Sequence, residues 1–255
     1  MVNVLCLKWG HRYSPEFVNR LYQGVKRHLK RSFRFVCVTD DPTGLAQGID
    51  VEPFPSAPEG FPANRSWPDI YVKLLVFKDG FANLKGPTLF LDIDQIIQGD
   101  LDCFFDYKPG EFCIIHNWIE WRKRLFRRAP KIGNSSCFRF EAGKSDAIYQ
   151  KFVSEMDHAT DRRFYSTEQA YMTATVRSLM PVNWWPKNWV VSFKRACTWM
   201  WPLNHFLMPR RNQTASILCF HGCPNPNQAI EGYKGKHLNT WVLPTAWVKD
   251  LWENG

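Results

Sequence analysis

The stretch from Gly86 to Leu101, GPTLFLDIDQIIQGDL, constrains the fold more than any other part of the chain. Thr88 to Leu91 form a short apolar run with a β-branched start, bounded by Gly86-Pro87, the pattern of a buried strand. The run opens onto two carboxylates, Asp92 and Asp94. In open α/β sheets, ligands bind outside the carboxyl ends of such strands. Two acidic groups one residue apart can share a hard divalent cation that holds phosphate oxygens; the same pair can also be a surface feature closing a strand. Side chains alternate along a strand, so both carboxylates reach one ion only if the strand has ended and the backbone turns between them.

The first forty residues supply the rest of the sheet's beginning. Val2 to Leu7 read as a strand, Ser14-Pro15-Glu16 start a helix, and Phe17, Leu21, Val25 and Leu29 recur at helical spacing. Phe33 to Val38 form a second strand ending in Thr39-Asp40-Asp41. This βαβ order predicts a parallel sheet with a ligand edge at Lys8 to Tyr13 and Thr39 to Asp41. Asp40 can accept from a base or ribose hydroxyl, or can simply form a turn before Pro42. Residues 41–66, rich in Pro and Gly, read as an irregular connection around a short strand at Ile49 to Glu52. Trp67 to Phe77 are expected to form a helix packing Ile70, Leu74 and Phe77 inward. Lys73 on that helix is either a phosphate contact or a solvated lysine.

Beyond the carboxylates, Leu101 to Tyr107 read as a turn or helix and Glu111 to Ile115 as a strand. Trp118 to Lys131 interleaves six basic residues with Trp118, Trp121, Leu125 and Phe126, which suits a solvated loop or a surface for anionic glycan or lipid headgroups. Gly133 to Phe140 run into a strand, and Ser145 to Met156 are helical. Ser166-Thr167 cap a helix whose first turn holds Glu168 and Gln169, facing either a sugar at the ligand edge or only the helix dipole. The Trp-rich run from Trp184 to Trp201 reads as core rather than sugar platform. Ser216 to Phe220 form a strand that delivers His221, a third metal ligand or an ordinary turn histidine.

Size suits one sizeable α/β domain at 255 residues. The opening MVNVLCLKWGHR lacks a basic leader and no stretch approaches ~18 apolar residues, so the expectation is a cytoplasmic protein, with peripheral contact at the inner membrane surface compatible. Eight scattered cysteines read as small buried hydrophobes, and Cys219 with Cys223 lack the partners of a zinc site. A net charge of +9 implies an anionic partner: nucleotide phosphates, acidic glycan or anionic lipid, with nucleic acid the less expected.

Asp40 after the second strand, Asp92-Ile93-Asp94, Gly133-Asn134-Ser135-Ser136, Thr167-Glu168-Gln169 and Phe220-His221-Gly222 together resemble the GT-A fold glycosyltransferases. Their order and spacing are most similar to the bacterial family 8-like group, which includes glycogenin-like and lipopolysaccharide galactosyl- or glucosyltransferases. The resemblance covers about residues 1–225. It implies a Rossmann-like, mostly parallel sheet flanked by helices in a single domain, with a nucleotide-binding half (1–115), a sugar and acceptor half (116–225) and a C-terminal tail and helix (226–255). It implies that Leu7, Lys8, Tyr13 and Asp40 hold base and ribose, and that Asp92, Asp94 and His221 bind Mn²⁺ or Mg²⁺. Asn134, Glu168 and Gln169 would face the donor sugar. Two departures stand out: Glu168 replaces the family's Asp, and Asn225 stands where a phosphate-binding Lys is expected, so Lys194 becomes the candidate phosphate contact beside Lys73.

The implied reaction moves a hexose, with configuration retained, from a nucleoside diphosphate sugar (UDP-hexose is the expected donor) to a hydroxyl of an anionic or lipid-linked glycan. Two rivals remain. A D-x-D phosphatase would use Asp92 as nucleophile and Asp94 as acid, but normally carries that motif on its first strand. A non-catalytic sugar-nucleotide-binding protein would share the fold alone.

Overall fold

A computed structural model describes residues 1–118 and 131–254. The basic, aromatic segment, apart from Trp118 and Lys131 at its two ends, lies outside the described residues, and with it the expectation attached to Arg122 through Arg128. Ten strands are found among the described residues: β1 (Val2–Lys8), β2 (Phe33–Thr39), β3 (Asp50–Pro53), β4 (Gly86–Leu91), β5 (Gln95–Ile97), β6 (Cys113–His116), β7 (Gly133–Ala142), β8 (Asn183–Trp184), β9 (Val190–Ser192) and β10 (Ile217–Cys219). Seven build the main sheet in the order β3-β2-β1-β4-β7-β6-β8. Neighbours are parallel except around β7, which runs antiparallel to β4 and to β6. A smaller sheet has the order β5-β10-β9.

Period-two alternation explains why the main sheet is covered on both faces. Val4 and Cys6 of β1, Phe35 and Cys37 of β2, and Leu89 and Leu91 of β4 enter one core with Phe17, Val18, Leu21 and Val25 of helix α1 (Pro15–His28). Leu5 and Leu7, Val36 and Val38, and Phe90 point the other way, into a second core. Tyr71, Leu74 and Phe77 from the region of helix α2 (Val72–Leu75) fill that core. Helix α3 (Asp102–Asp106) returns to the first core through Phe104 and Phe105. Helices α4 (Asp146–Ser154), α5 (Met156–Thr160) and α6 (Glu168–Leu179) close the second face with Ile148, Phe152, Met156, Tyr171, Met172 and Val176. Helices α7 (Pro226–Glu231) and α8 (Ala246–Asn254) end the described chain, with Ala229, Val248 and Trp252 set into the first core. Each Val, Leu, Ile, Phe or Met among them, fully buried, stabilises the fold by about 1.5–3 kcal/mol.

The predicted helix over Trp67 to Phe77 shortens to α2. Asp69 Oδ1 accepts from the Tyr71 N–H at 2.8 Å, so the chain turns before it winds. Leu74 and Phe77 are buried as expected, whereas Ile70, expected inside, is 44% exposed. The Trp-rich run also divides, with Trp185 buried and Trp201 in solvent.

Candidate active site

The main sheet reverses its winding at β1: α1 leads to β2 on one side, while β4 pairs on the other. A crevice opens beyond the carboxyl ends of strands at such a point. β4 stops at Leu91, the Asp92 N–H donates to the Ser136 carbonyl (2.9 Å), and the chain enters the smaller sheet at Gln95. That is the backbone turn required if Asp92 and Asp94 are to face one place. The Phe220 N–H donates to the Asp94 carbonyl (3.2 Å), which brings the segment after β10 alongside. A cavity of about 420 Å³ is lined by Leu7, Lys8, Tyr13, Lys73, Asp92, Asp94 and His221. Seven residues picked out in the sequence from four separate stretches thus share one wall. Trp9, Arg12, Ile70, Ile93 and Gly222 complete it: Trp9 and Arg12 fall inside the predicted ligand edge and Ile93 and Gly222 inside the quoted motifs, though none is named there as a site residue, and Ile70 is expected in the core. Arg12 was accessible to the sequence reading, as a cation inside the β1–α1 ligand edge.

Lys73 is buried, not solvated, with Nζ 2.6 Å from Asp92 Oδ1 and 3.4 Å from the Ser135 carbonyl. Burial alone would push its ammonium pKa down; the charges of Asp92, Glu168 and Asp94 outweigh burial and hold it above the ordinary lysine value. A permanent cation therefore sits behind the carboxylates. Asp94 accepts from the Tyr13 hydroxyl at 3.3 Å. Its pKa is pushed up to about 7 by burial and then by the neighbouring Asp92 charge, with Lys73 opposing. Tyr13 in turn is pushed up to about 12 by burial and by Asp94.

His221 lies 2.6 Å through Nε2 from Ser192 Oγ, and its ring stacks on Trp118 with centroids 5.4 Å apart. Burial, then Lys194 and Arg195, lower its pKa to about 4, so the imidazole is neutral at physiological pH. Lys194, on the helical turn Phe193–Cys197, donates to the His221 carbonyl at 2.5 Å.

The sugar-facing candidates form a second group behind Lys73. Thr167 caps α6 by accepting from the Ala170 N–H at 3.3 Å. Glu168 is buried and accepts from Ser135 Oγ; burial raises its pKa while Lys73 and Ser135 oppose. Gln169 Oε1 accepts from the Ser135 N–H at 3.4 Å. Asn134 Oδ1 accepts from the Ser136 N–H at 3.0 Å, a local turn. Asp40 stands outside the lining: its carboxylate accepts from the Gly10 N–H at 2.9 Å, where a φ of 62° folds the β1–α1 loop back toward β2.

Two carboxylates and a neutral imidazole are a donor set suited to a divalent ion. Asp92 is nevertheless paired with Lys73, Asp94 with Tyr13 and His221 with Ser192. Among the described residues no three His, Cys, Asp or Glu side chains stand close enough to hold an ion. The donor chemistry fits: burial and then the Asp92 charge raise the Asp94 pKa, a cost that an added cation would relieve, and His221 is in its ligating, unprotonated form.

No protein-family model and no curated protein matches this sequence. Solved structures do. The galactosyltransferase LgtC, determined in complex with donor and acceptor sugar analogs, aligns at 12% identity with a TM-score of 0.58, over 99% of this chain and 96% of LgtC. The chain has the GT-A fold. It aligns equally with the glycosyltransferase GlyE of Streptococcus pneumoniae, at 12% identity and a TM-score of 0.60, over 99% of this chain and 60% of GlyE. The bifunctional glycosyltransferase WbbM matches over 88% of this chain and 46% of its own length, at 12% identity and a TM-score of 0.54. The GT-A chain described here thus spans nearly all of LgtC but only part of GlyE and WbbM.

Proposed function

We propose that this protein is a glycosyltransferase that binds a nucleoside diphosphate sugar with a divalent cation and passes its hexose to an acceptor hydroxyl, with configuration retained. The observation that carries the reading is the gathering of Lys73, Asp92, Asp94 and His221 around one cavity in a GT-A fold. Residues 1–115 supply the nucleotide side. Leu7 and Tyr13 flank the base, exposed Arg12 brings positive charge to the mouth and buried Lys8 adds to it from the wall, and Asp40 accepts from ribose or base. Lys194 turns from the His221 carbonyl to a phosphate oxygen.

Asp92, Asp94 and His221 would hold Mn²⁺ or Mg²⁺, which when bound supplies the positive charge that stabilises a departing diphosphate. Lys73, held protonated, keeps Asp92 and Glu168 oriented and offsets their charge. Glu168 and Gln169, fixed through Ser135, face the sugar with Asn134 and position it for transfer. LgtC has been solved as a glutamine-to-glutamate active-site variant, and Gln169 is the glutamine we assign to such a role here. The acceptor expected is an anionic or lipid-linked glycan, and the donor UDP-hexose.

The test is hydrolysis and transfer of a panel of nucleotide sugars with Mn²⁺ or with chelator. Metal-dependent release of nucleoside diphosphate supports the proposal. Hydrolysis of simple phosphomonoesters in its place would identify a phosphatase, and neither activity a binding protein.

A further inference from the structure

Between β9 and β10 the chain leaves the body of the protein as a loop whose apolar side chains face water. Met200, Trp201, Leu203, Phe206, Leu207 and Met208 are all exposed, Met200 and Phe206 by 76% and Trp201 by 60%. They are half of the twelve large apolar side chains exposed among the described residues, gathered within nine consecutive positions. The loop is braced. At its base the Arg210 N–H donates to the Cys197 carbonyl (2.8 Å), Trp199 Nε1 donates to the Met208 carbonyl (3.0 Å), and the Arg210 guanidinium lies 3.5 Å over the Trp199 ring. Inside it, buried Asn204 donates to the carbonyls of Leu238 (2.9 Å) and Trp241 (3.0 Å), which sets exposed Leu238 beside the tip. The polar side chain has been turned inward as a strut and the apolar ones outward. An ordered, contiguous apolar surface of this kind marks a place that something else covers.

Charge identifies the cover. From Gln169 to Ile230 the chain has no Asp or Glu and six Lys or Arg. Arg195 and Arg211 stand exposed at the two feet of the loop, and Lys234 and Lys236 are exposed near Leu238. A wedge of Trp, Phe, Leu and Met inside a collar of long cations suits the boundary between headgroups and acyl chains of an anionic bilayer. The apolar tips enter it while the ammonium and guanidinium groups meet lipid phosphates.

We propose that residues 199–208 dock this protein onto an anionic lipid bilayer. Lys194 lies on the helical turn that leads into the loop and holds the carbonyl of His221, a cavity-lining residue, so the docking loop is continuous with one edge of the cavity. The inference goes beyond the transferase reading and does not depend on it, because vesicles alone reveal docking without donor or acceptor.

The experiment is cosedimentation of the full chain with vesicles of phosphatidylcholine alone and with an equal mixture of phosphatidylcholine and phosphatidylglycerol. The wild type is expected to bind the anionic vesicles only, and less tightly as salt rises. Trp201→Ser with Phe206→Ser removes exposed side chains, so folding and thermal midpoint stay as they were while vesicle affinity falls by about tenfold or more. Arg195→Glu with Arg211→Glu should weaken binding similarly and remove most of its salt sensitivity. Equal binding by wild type and the Trp201/Phe206 variant overturns the proposal, as does failure of the wild type to bind anionic vesicles. A wild type that self-associates through this loop, losing its dimer in the same variant without binding vesicles, overturns it in favour of a second copy of the chain.

Discussion

Replacing Asp94 with Asn should stabilise the ligand-free protein by an amount that grows as pH rises from about 3.8 to about 7. The carboxyl titrates near 3.8 in an unstructured chain and near 7 in the folded protein, because it is buried beside Asp92. The sign follows from linkage: between those values the folded state keeps a proton that the unfolded state has lost. The associated stability is fully present below pH 3.8, declines as pH rises and is gone above about 7. At ~1.36 kcal/mol per pKa unit the whole shift corresponds to ~4 kcal/mol, and about half of that is expected, since part of the carboxyl faces water and Lys73 offsets part of the neighbouring charge. Asn keeps the shape and the hydrogen bond to Tyr13 and carries no charge at any pH. The variant should therefore gain ~2 kcal/mol at about pH 8, or roughly 5 °C in Tm for a chain of this size, and very little near pH 4. Urea unfolding of both proteins across that range measures it. An equal gain at both ends, or a loss at the alkaline end, would refute the account of Asp94 as a carboxylate held in uncompensated repulsion.

Arg139 is fully buried and donates to the carbonyls of Phe104, Tyr107, Lys108 and Glu111, so Arg139→Met should cost about 3–5 kcal/mol in a urea titration; a loss under about 1 would show that water replaces it. Gln169→Ala should lower the transfer rate by at least about tenfold with nucleoside diphosphate affinity nearly unchanged, as single-turnover kinetics and calorimetry would show; a raised dissociation constant with an unchanged rate contradicts the sugar-facing role. Lys194→Ala should weaken nucleoside diphosphate binding by about tenfold, and more at low salt than at high; unaltered affinity in calorimetry would return the phosphate contact to Lys8 or Arg12.

The sheet was legible because each of its early strands is a closed apolar run flanked by turn residues, and β1, β2 and β4 fall where those runs do. The cavity wall was legible for the same reason: strand ends can be read, and in this topology strand ends are where ligands go. Burial of charge was not. Nothing local distinguishes Lys73 from a surface lysine; its fate is set by Asp92 and Glu168, both distant in sequence, which make the ammonium worth burying. Arg139 went unnoticed for a related reason, since its partners are backbone carbonyls that any sequence would supply. The tryptophans after Trp184 misled in part because composition does not say which face a ring takes: Trp185 donates inward to the Cys137 carbonyl, while Trp201 has no such anchor and sits at a loop tip.

The charges of the site also explain why donor and cation should bind together. Lys73 already answers Asp92, and burial with the Asp92 charge keeps Asp94 partly protonated near neutral pH. A diphosphate arriving alone would meet two carboxylates and, besides Lys73, only the cations Lys8, Arg12 and Lys194. A divalent ion arriving alone would have to displace the Asp94 proton and draw His221 from Ser192 with no phosphate oxygens to complete its shell. Arriving together, each removes the other's obstacle, so the affinity of either must rise by the same factor in the presence of the other. The ion would also have to take Asp92 from Lys73 or share it, and an ammonium released at that point lies beside Ser135 and Glu168 at the N-terminal end of α6. The same ion pair that steadies the empty cavity would in this way hand its cation to the occupied one.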